Sequence, residues 1–212
     1  GKIQIKNILM AAIAAQKSNL NFENILKVLP ELKPVEGRLE KIGTIKNNSI
    51  VILDYAHTPD ALKVCLLNIK EQFPDKKLNL LFGCGGNRDQ NKRAKMGKIA
   101  SIYADNIYLT DDNPRSENPT RIRNDIKKGI KAKKIIEISN RSTAISEAIK
   151  NLKSGDVLVV AGKGHENIQE IDKKKIKFSD RKKILIEINK KNKSLSDQLK
   201  INIIKELSNT QK

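Results

Sequence analysis

The sequence has little with which to stack, crosslink or span. Its 212 residues include no tryptophan, two cysteines, two histidines and only 3% aromatic residues. So few aromatics leave few platforms for single-stranded bases. Cys65 and Cys84 match no zinc-ligand spacing and form no disulfide framework, so a reduced, cytoplasmic setting is expected. No apolar run approaches the roughly 20 residues that span a bilayer. No signal pattern is visible either, although residues missing upstream of Gly1 would hide one. The chain starts at Gly1, not Met, so upstream residues were removed or the chain is a piece of a longer one. The phosphate loop GxxxxGK[ST], the dinucleotide fingerprint GxGxxG and the zinc pattern HExxH are all missing. If a nucleotide is used, its phosphates are cradled outside this sequence.

Acidic residues are also scarce. Lys and Arg total 42 against 24 Asp and Glu, a net charge of +18. Such a surplus raises a nucleic-acid hypothesis. The surplus is concentrated late, where Lys173, Lys174, Lys175, Lys177, Arg181, Lys182, Lys183, Lys190, Lys191 and Lys193 face only Asp180 and Glu187. With few aromatics and no nucleic-acid motif, a solvated basic face is the favoured reading, with neither nucleic acid nor membrane as partner.

Hydrophobic residues make up 38% of the chain, within reach of a folded core. Residues 1–36 carry helical stripes, Ile5, Ile8, Leu9, Ala12 and Ile13, then Phe22, Ile25, Leu26 and Leu29 behind an Asn21 cap. Pro30 and Pro34 break that pattern, and a linker is expected from Pro34 to Gly37. From Ser49 the pattern alternates. Apolar runs at 50–53, 78–82, 106–110, 135–138 and 157–161 read as strands, separated by amphipathic helices. Thr58 before Pro59, and Ser179, are expected helix caps, and one helix is expected to start near Thr120. The fold class is α/β, a mostly parallel sheet with helices on both faces. The polar stretch 189–194 reads as flexible, followed by a last helix carrying Leu195, Leu199, Ile203 and Leu207.

In parallel sheets, ligands bind beyond the carboxyl ends of the strands. Four loops lie there: Asp54-Tyr-Ala-His57, Gly83 to Asp89, Asp111 to Arg115, and Gly162 to Glu166. Both histidines, His57 and His165, fall within them. Asp112 can hold an ammonium, and Arg115 can grip a carboxylate through two parallel hydrogen bonds. Arg88 can take a second carboxylate. Read singly, each loop has a plainer alternative. Asp112–Arg115 is then a turn with a surface ion pair, the glycines a tight turn, and Asp54 with His57 a helix entry in place of a phosphate contact.

Six motifs then occur in order: Gly37-Arg-Leu-Glu40, Asp54-Tyr-Ala-His-Thr-Pro-Asp-Ala61, Gly83-Cys-Gly-Gly-Asn-Arg-Asp89, Asp112-Asn-Pro-Arg115, Gly162-Lys-Gly-His-Glu166 and Ser179-Asp-Arg181. Together they resemble the Mur ligases of peptidoglycan synthesis, from about residue 5 to residue 188, and most closely the members that add diaminopimelate. The resemblance implies the end of a central ATP-binding domain at 1–36, a Rossmann-like amino-acid-binding domain at 37–190 and a basic tail at 191–212. It implies ATP and Mg2+ as cofactors, with the metal ligands mostly outside this chain, and a UDP-sugar dipeptide and diaminopimelate as substrates of a monomeric enzyme. By the same resemblance, Arg88, Asp112, Asn113, Pro114, Arg115, Gly162 and Glu166 line the amino-acid site. Asn7, Arg38, Asp54 and His57 help hold the nucleotide. Asn87 and Leu39 stand where the family often has Asp and Met. This chain alone is not expected to catalyse ligation. The competing readings are a related ligase for another amino acid and a non-catalytic basic binding module.

Overall fold

The structure, a computed structural model, describes residues 2–32, 35–131 and 135–210; the side chains of residues 2–4 and 202–210 lie outside that description. Pro34 of the expected linker, and the side chains of Ile203 and Leu207, are therefore outside it as well. Two compact units are present, Gly1–Glu36 and Gly37–Lys212. The first contains α1 (Lys2–Lys17), α2 (Phe22–Val28) and a 3-10 turn, Leu29–Glu31. Asn21 caps α2, its Oδ1 accepting from the backbone N–H groups of Glu23 at 2.9 Å and Asn24 at 3.3 Å.

The second unit is a six-stranded sheet of β1 (Glu40–Thr44), β2 (Ile50–Asp54), β3 (Leu78–Phe82), β4 (Asn106–Leu109), β5 (Ile135–Glu137) and β6 (Val157–Ala161), in the order β1-β2-β6-β3-β4-β5. All neighbours are parallel except β1, which runs antiparallel to β2 at one edge. The apolar runs are continuous because both faces are covered. Ile50, Ile52, Leu80, Phe82, Ile107, Leu109, Val157 and Val159 pack beneath α3 (Pro59–Gln72), α4 (Asn91–Tyr103) and α5 (Pro119–Lys127). The alternate residues Val51, Leu53, Leu81, Tyr108, Leu158 and Val160 pack beneath α6 (Arg141–Lys150) and α7 (Asp180–Thr210). The period-2 side-chain alternation thus divides each strand between two cores.

Thr58 caps α3 through the Ala61 N–H, with Pro59 in the first turn. α5 begins at Pro119, near Thr120 as expected, and Asn118 is its cap, its Oδ1 accepting from the Thr120 and Arg121 N–H groups. Two features were not foreseen. One is β1; the other is a hairpin of β7 (Ile168–Ile171) and β8 (Lys174–Lys177). The expected break at 189–194 does not occur, since α7 runs through it unbroken. The polar residues there have fixed partners. Lys191 Nζ donates to the carbonyls of Ile149, Lys150 and Leu152 at 2.7–2.9 Å, closing the C-terminus of α6. Asn192 Oδ1 accepts from the Lys46 N–H at 2.8 Å.

α6 is fixed to α7 at its other end by a buried ion pair. Arg141 Nε and Nη2 donate to the two oxygens of Asp180 at 2.8 and 2.7 Å, and both side chains are fully buried. Nη2 also donates to the Ala161 carbonyl at the end of β6. Substituting Arg141→Ala leaves the Asp180 carboxylate buried without its partner. The expected cost is about 3–5 kcal/mol, read as a lower urea midpoint with an unchanged m-value.

Candidate functional site

β2, β3, β4 and β6 are parallel, so the loops that follow them emerge at one edge of the sheet. They enclose a cavity of about 580 Å³ lined by His57, Arg88, Asp112, Asn113, Arg115, Gly162 and Glu166, with Tyr55 and Lys92 among the others. Seven of the expected residues therefore share one cavity. Pro114 is buried but does not line it. Asp54 does not line it either. Its carboxylate accepts from the N–H groups of Leu39 and Ala56 at 2.7 and 2.8 Å, and burial pushes its pKa up. These bonds tie the loop after β2 to the segment that precedes β1. Arg38 lies over the Tyr55 ring at 5.0 Å. Asn7 is on α1, in the first unit.

At the cavity wall the fully buried ammonium of Lys163 holds two loops together. Its Nζ donates to Asn113 Oδ1 and Glu166 Oε2, each at 2.9 Å, and stands 3.5 Å from Asp112 Oδ1. Asn113 Nδ2 donates to the same Glu166 oxygen at 3.0 Å. Burial opposes ionisation of Glu166, but the Lys163 hydrogen bond and charge, Asn113 and Arg115 outweigh it and hold the carboxyl below its usual range. Asp112 behaves oppositely. Burial pushes its pKa up, Arg141 and Lys163 oppose the rise, and Glu166 and Asp180 add to it. Asp112 Oδ1 has no hydrogen-bond partner among the described residues. The nearest cation to that oxygen is the Lys163 ammonium, 3.5 Å away.

The opposite charge is presented beside it. Arg88 is exposed, with no ion pair among the described residues, and Arg115 is half-buried. Arg115 adopts a left-handed φ of 52°, held by a bridge to the β7–β8 hairpin. Its N–H donates to the Glu170 carbonyl at 3.0 Å, and its own carbonyl accepts from Asp172 at 2.7 Å. Gln169 Nε2 donates to the Asp112 carbonyl, and Asn113 Oδ1 accepts from the Glu170 N–H. The glycines after β3 serve this packing. A Cβ at Gly83 would meet the Thr110 carbonyl at 2.2 Å, and one at Gly86 would meet the Pro114 carbonyl at 2.0 Å. Their close approach is to the protein's own backbone. Asn87 has a φ of 52°, a conformation that asparagine tolerates well.

Two further cavities, about 490 and 620 Å³, lie near the amino-terminal ends of the strands. They lack arginine, and Glu187 in the first is already bonded to Lys183 and Lys190. Chemistry and sheet polarity, not volume, therefore favour the strand-end cavity. Among the described residues, no group of three or more His, Cys, Asp or Glu side chains could hold a metal ion. The expected Mg2+ has no such ligand set there.

Lys163, Arg141, Gln169, Glu170, Tyr55 and Lys92 were not singled out from the sequence. Arg141 carried a readable signal: a cation at the first position of a helix opposes the helix dipole, so it needs a specific partner. Lys163 carried a weaker one, a carboxylate three residues on in a strand-end loop. Gln169 and Glu170 gave none, because the hairpin itself was not foreseen.

The family model of the Mur ligase glutamate ligase domain matches residues 37–164. The 2,6-diaminopimelate ligase acting on UDP-N-acetylmuramoyl-L-alanyl-D-glutamate in Rickettsia felis is 48% identical over 181 residues, covering 85% of this chain and 33% of that protein. Its counterpart from Buchnera aphidicola is 44% identical over 193 residues, covering 91% and 38%. A solved structure of a ligase of the same name superposes with a TM-score of 0.68 at 35% identity, over 92% of this chain and 39% of that one. The UDP-N-acetylmuramate–alanine ligase of Thermotoga maritima shares the fold, with a TM-score of 0.61 at 19% identity over 93% and 39%. The chain spans about a third of the length of the curated relatives it matches.

Replacing Lys163 with Met removes the cation shared by Asp112, Asn113 and Glu166. Near neutral pH the loss should be about 3 kcal/mol. The sign of the pH dependence follows from Glu166. Its lowered pKa contributes stability above its unfolded value, lost as pH falls through the folded one. The gap between wild type and Lys163→Met should therefore narrow on acidification, measured by urea unfolding at several pH values.

Proposed function

The chain belongs to the Mur ligase family, and on that premise we propose that it is the carboxyl-terminal part of an ATP-dependent amide ligase. The reaction joins meso-2,6-diaminopimelate to UDP-N-acetylmuramoyl-L-alanyl-D-glutamate in peptidoglycan synthesis. In this reading residues 1–36 end the ATP-binding domain and residues 37–190 form the amino-acid-binding domain. Residues 191–212 are the basic tail, of which 191–210 extend its last helix. ATP phosphorylates the glutamate carboxylate, the incoming amine attacks the acyl phosphate, and amide, ADP and phosphate result.

The observation that carries the reading is the convergence of two carboxylates, Asp112 and Glu166, and two guanidinium groups, Arg88 and Arg115, on one cavity. Diaminopimelate offers two ammonium and two carboxylate groups, a complementary set. Glu166 Oε1 has no partner among the described residues and is free for an ammonium. Arg115 and Arg88 take carboxylates, the distal one at Arg115. Lysine lacks that carboxylate. Asn7, Arg38, Asp54 and His57 are the proposed nucleotide contacts in the whole enzyme. ATP and Mg2+ are supplied through the remainder of the enzyme. The enzyme acts as a cytoplasmic monomer. Among the described residues no helix is long and apolar enough to cross a membrane.

The test is phosphate release by the intact ligase that carries this chain. Diaminopimelate should support turnover with a far higher kcat/KM than lysine, and Arg115→Ala should raise KM for diaminopimelate by about 10- to 100-fold. Equal turnover of the two amino acids would remove the assignment. An Arg115→Ala enzyme with unchanged KM would point to a ligase for another amino acid.

A further inference from the structure

Arg115 is not an unpaired cation waiting for a substrate. Its Nε donates to Glu170 Oε2 at 3.1 Å and its Nη1 to the Gly86 carbonyl at 2.8 Å. Nη2 has no hydrogen-bond partner among the described residues. An amino acid without a distal carboxylate therefore does not leave the guanidinium without a countercharge. We infer that Glu170 sets the stringency of the amino-acid site: it is a resident counter-ion of Arg115, which eases entry of a substrate lacking the second carboxylate and weakens the hold on one that has it. This deepens the diaminopimelate reading and rests on it.

The geometry separates this role from simple bracing. The hairpin is tied to the loop through backbone groups of Glu170: its carbonyl accepts from the Arg115 N–H and its N–H donates to Asn113 Oδ1. Asp172 N–H and the Gln169 amide add two further bonds to the same loop. None of these uses the Glu170 carboxylate. That carboxylate is only partly exposed, at 29%, and the Arg115 side chain at 23%, so water screens the pair incompletely. Nη1 lies within 2.9 Å of where a Gly85 Cβ would stand, and both residues line the cavity. A substrate carboxylate at the Nη edge would share the guanidinium with Glu170 at the Nε edge. Two like charges on one cation weaken each other's binding. Glu170 is thus a positioning residue that acts through Arg115.

Glu170→Gln removes the charge and keeps an oxygen that can accept from Nε. Glu170→Ala removes both and guards against an artefact of the amide. In the full-length ligase, kcat/KM is measured for diaminopimelate and for lysine with each variant. The ratio favouring diaminopimelate should rise about three- to tenfold in both, through KM and not kcat, and the gain should shrink with added salt. An unchanged or lower ratio, with the wild type still preferring diaminopimelate, would overturn the role of Glu170 and leave the functional reading standing. A wild-type enzyme without that preference would overturn the reading itself, and this inference with it.

Discussion

A buried ammonium is the constraint on which the site depends. Lys163 is fully buried, and such a charge is tolerated only where it is paired and hydrogen-bonded. It is hydrogen-bonded to Asn113 after β4 and Glu166 after β6, with the Asp112 carboxylate 3.5 Å away. Satisfying the lysine therefore fixes the spacing of the two carboxylates that face the cavity. It also keeps Glu166 ionised, while Asp112 stays buried, its Oδ1 without a hydrogen bond and 3.5 Å from the Lys163 ammonium. Arg141 extends the same network backwards, through Asp180, into the contact between α6 and α7. Helix packing and site electrostatics are one system here.

The other half of the site is held by backbone. Arg115 takes a conformation that costs a non-glycine residue energy, and the hairpin and glycine loop hold it there. Arg93 strengthens the arrangement from below. Fully buried, it pairs with Glu117 and Asp125, and Glu117 in turn accepts from the Asn87 N–H. The Arg88 loop and the Arg115 loop are thereby locked to each other before any ligand arrives. Preorganisation of this kind reduces the ordering cost of binding a small, highly charged molecule.

Much of this was legible in the sequence because buried parallel strands leave plain marks. The runs at 50–53, 78–82 and 157–161 could not be half-exposed strands, and the loops after them had to share an edge. Asn21 and Thr58 were readable caps because their side chains act locally. The missed elements depend on partners distant in sequence. β8 is Lys-Lys-Ile-Lys and reads as basic loop, yet it pairs with β7. The hairpin turn, Asp172-Lys173, has two positive φ angles without the glycine that normally signals them. Stretch 189–194 looked flexible because its polar side chains find their partners on α6 and beyond β1. The glycines after β3 were recognisable as permitting close approach, but not as approaching the chain's own carbonyls.

The central claim is that one strand-end cavity takes an amino acid carrying charge at both ends. A crystal structure of the intact ligase with meso-diaminopimelate tests it most directly. The account predicts the distal carboxylate within hydrogen-bond reach of Arg115 and an ammonium against Asp112 or Glu166. Density for the amino acid outside this cavity, or with its carboxylate turned away from Arg115, would contradict it.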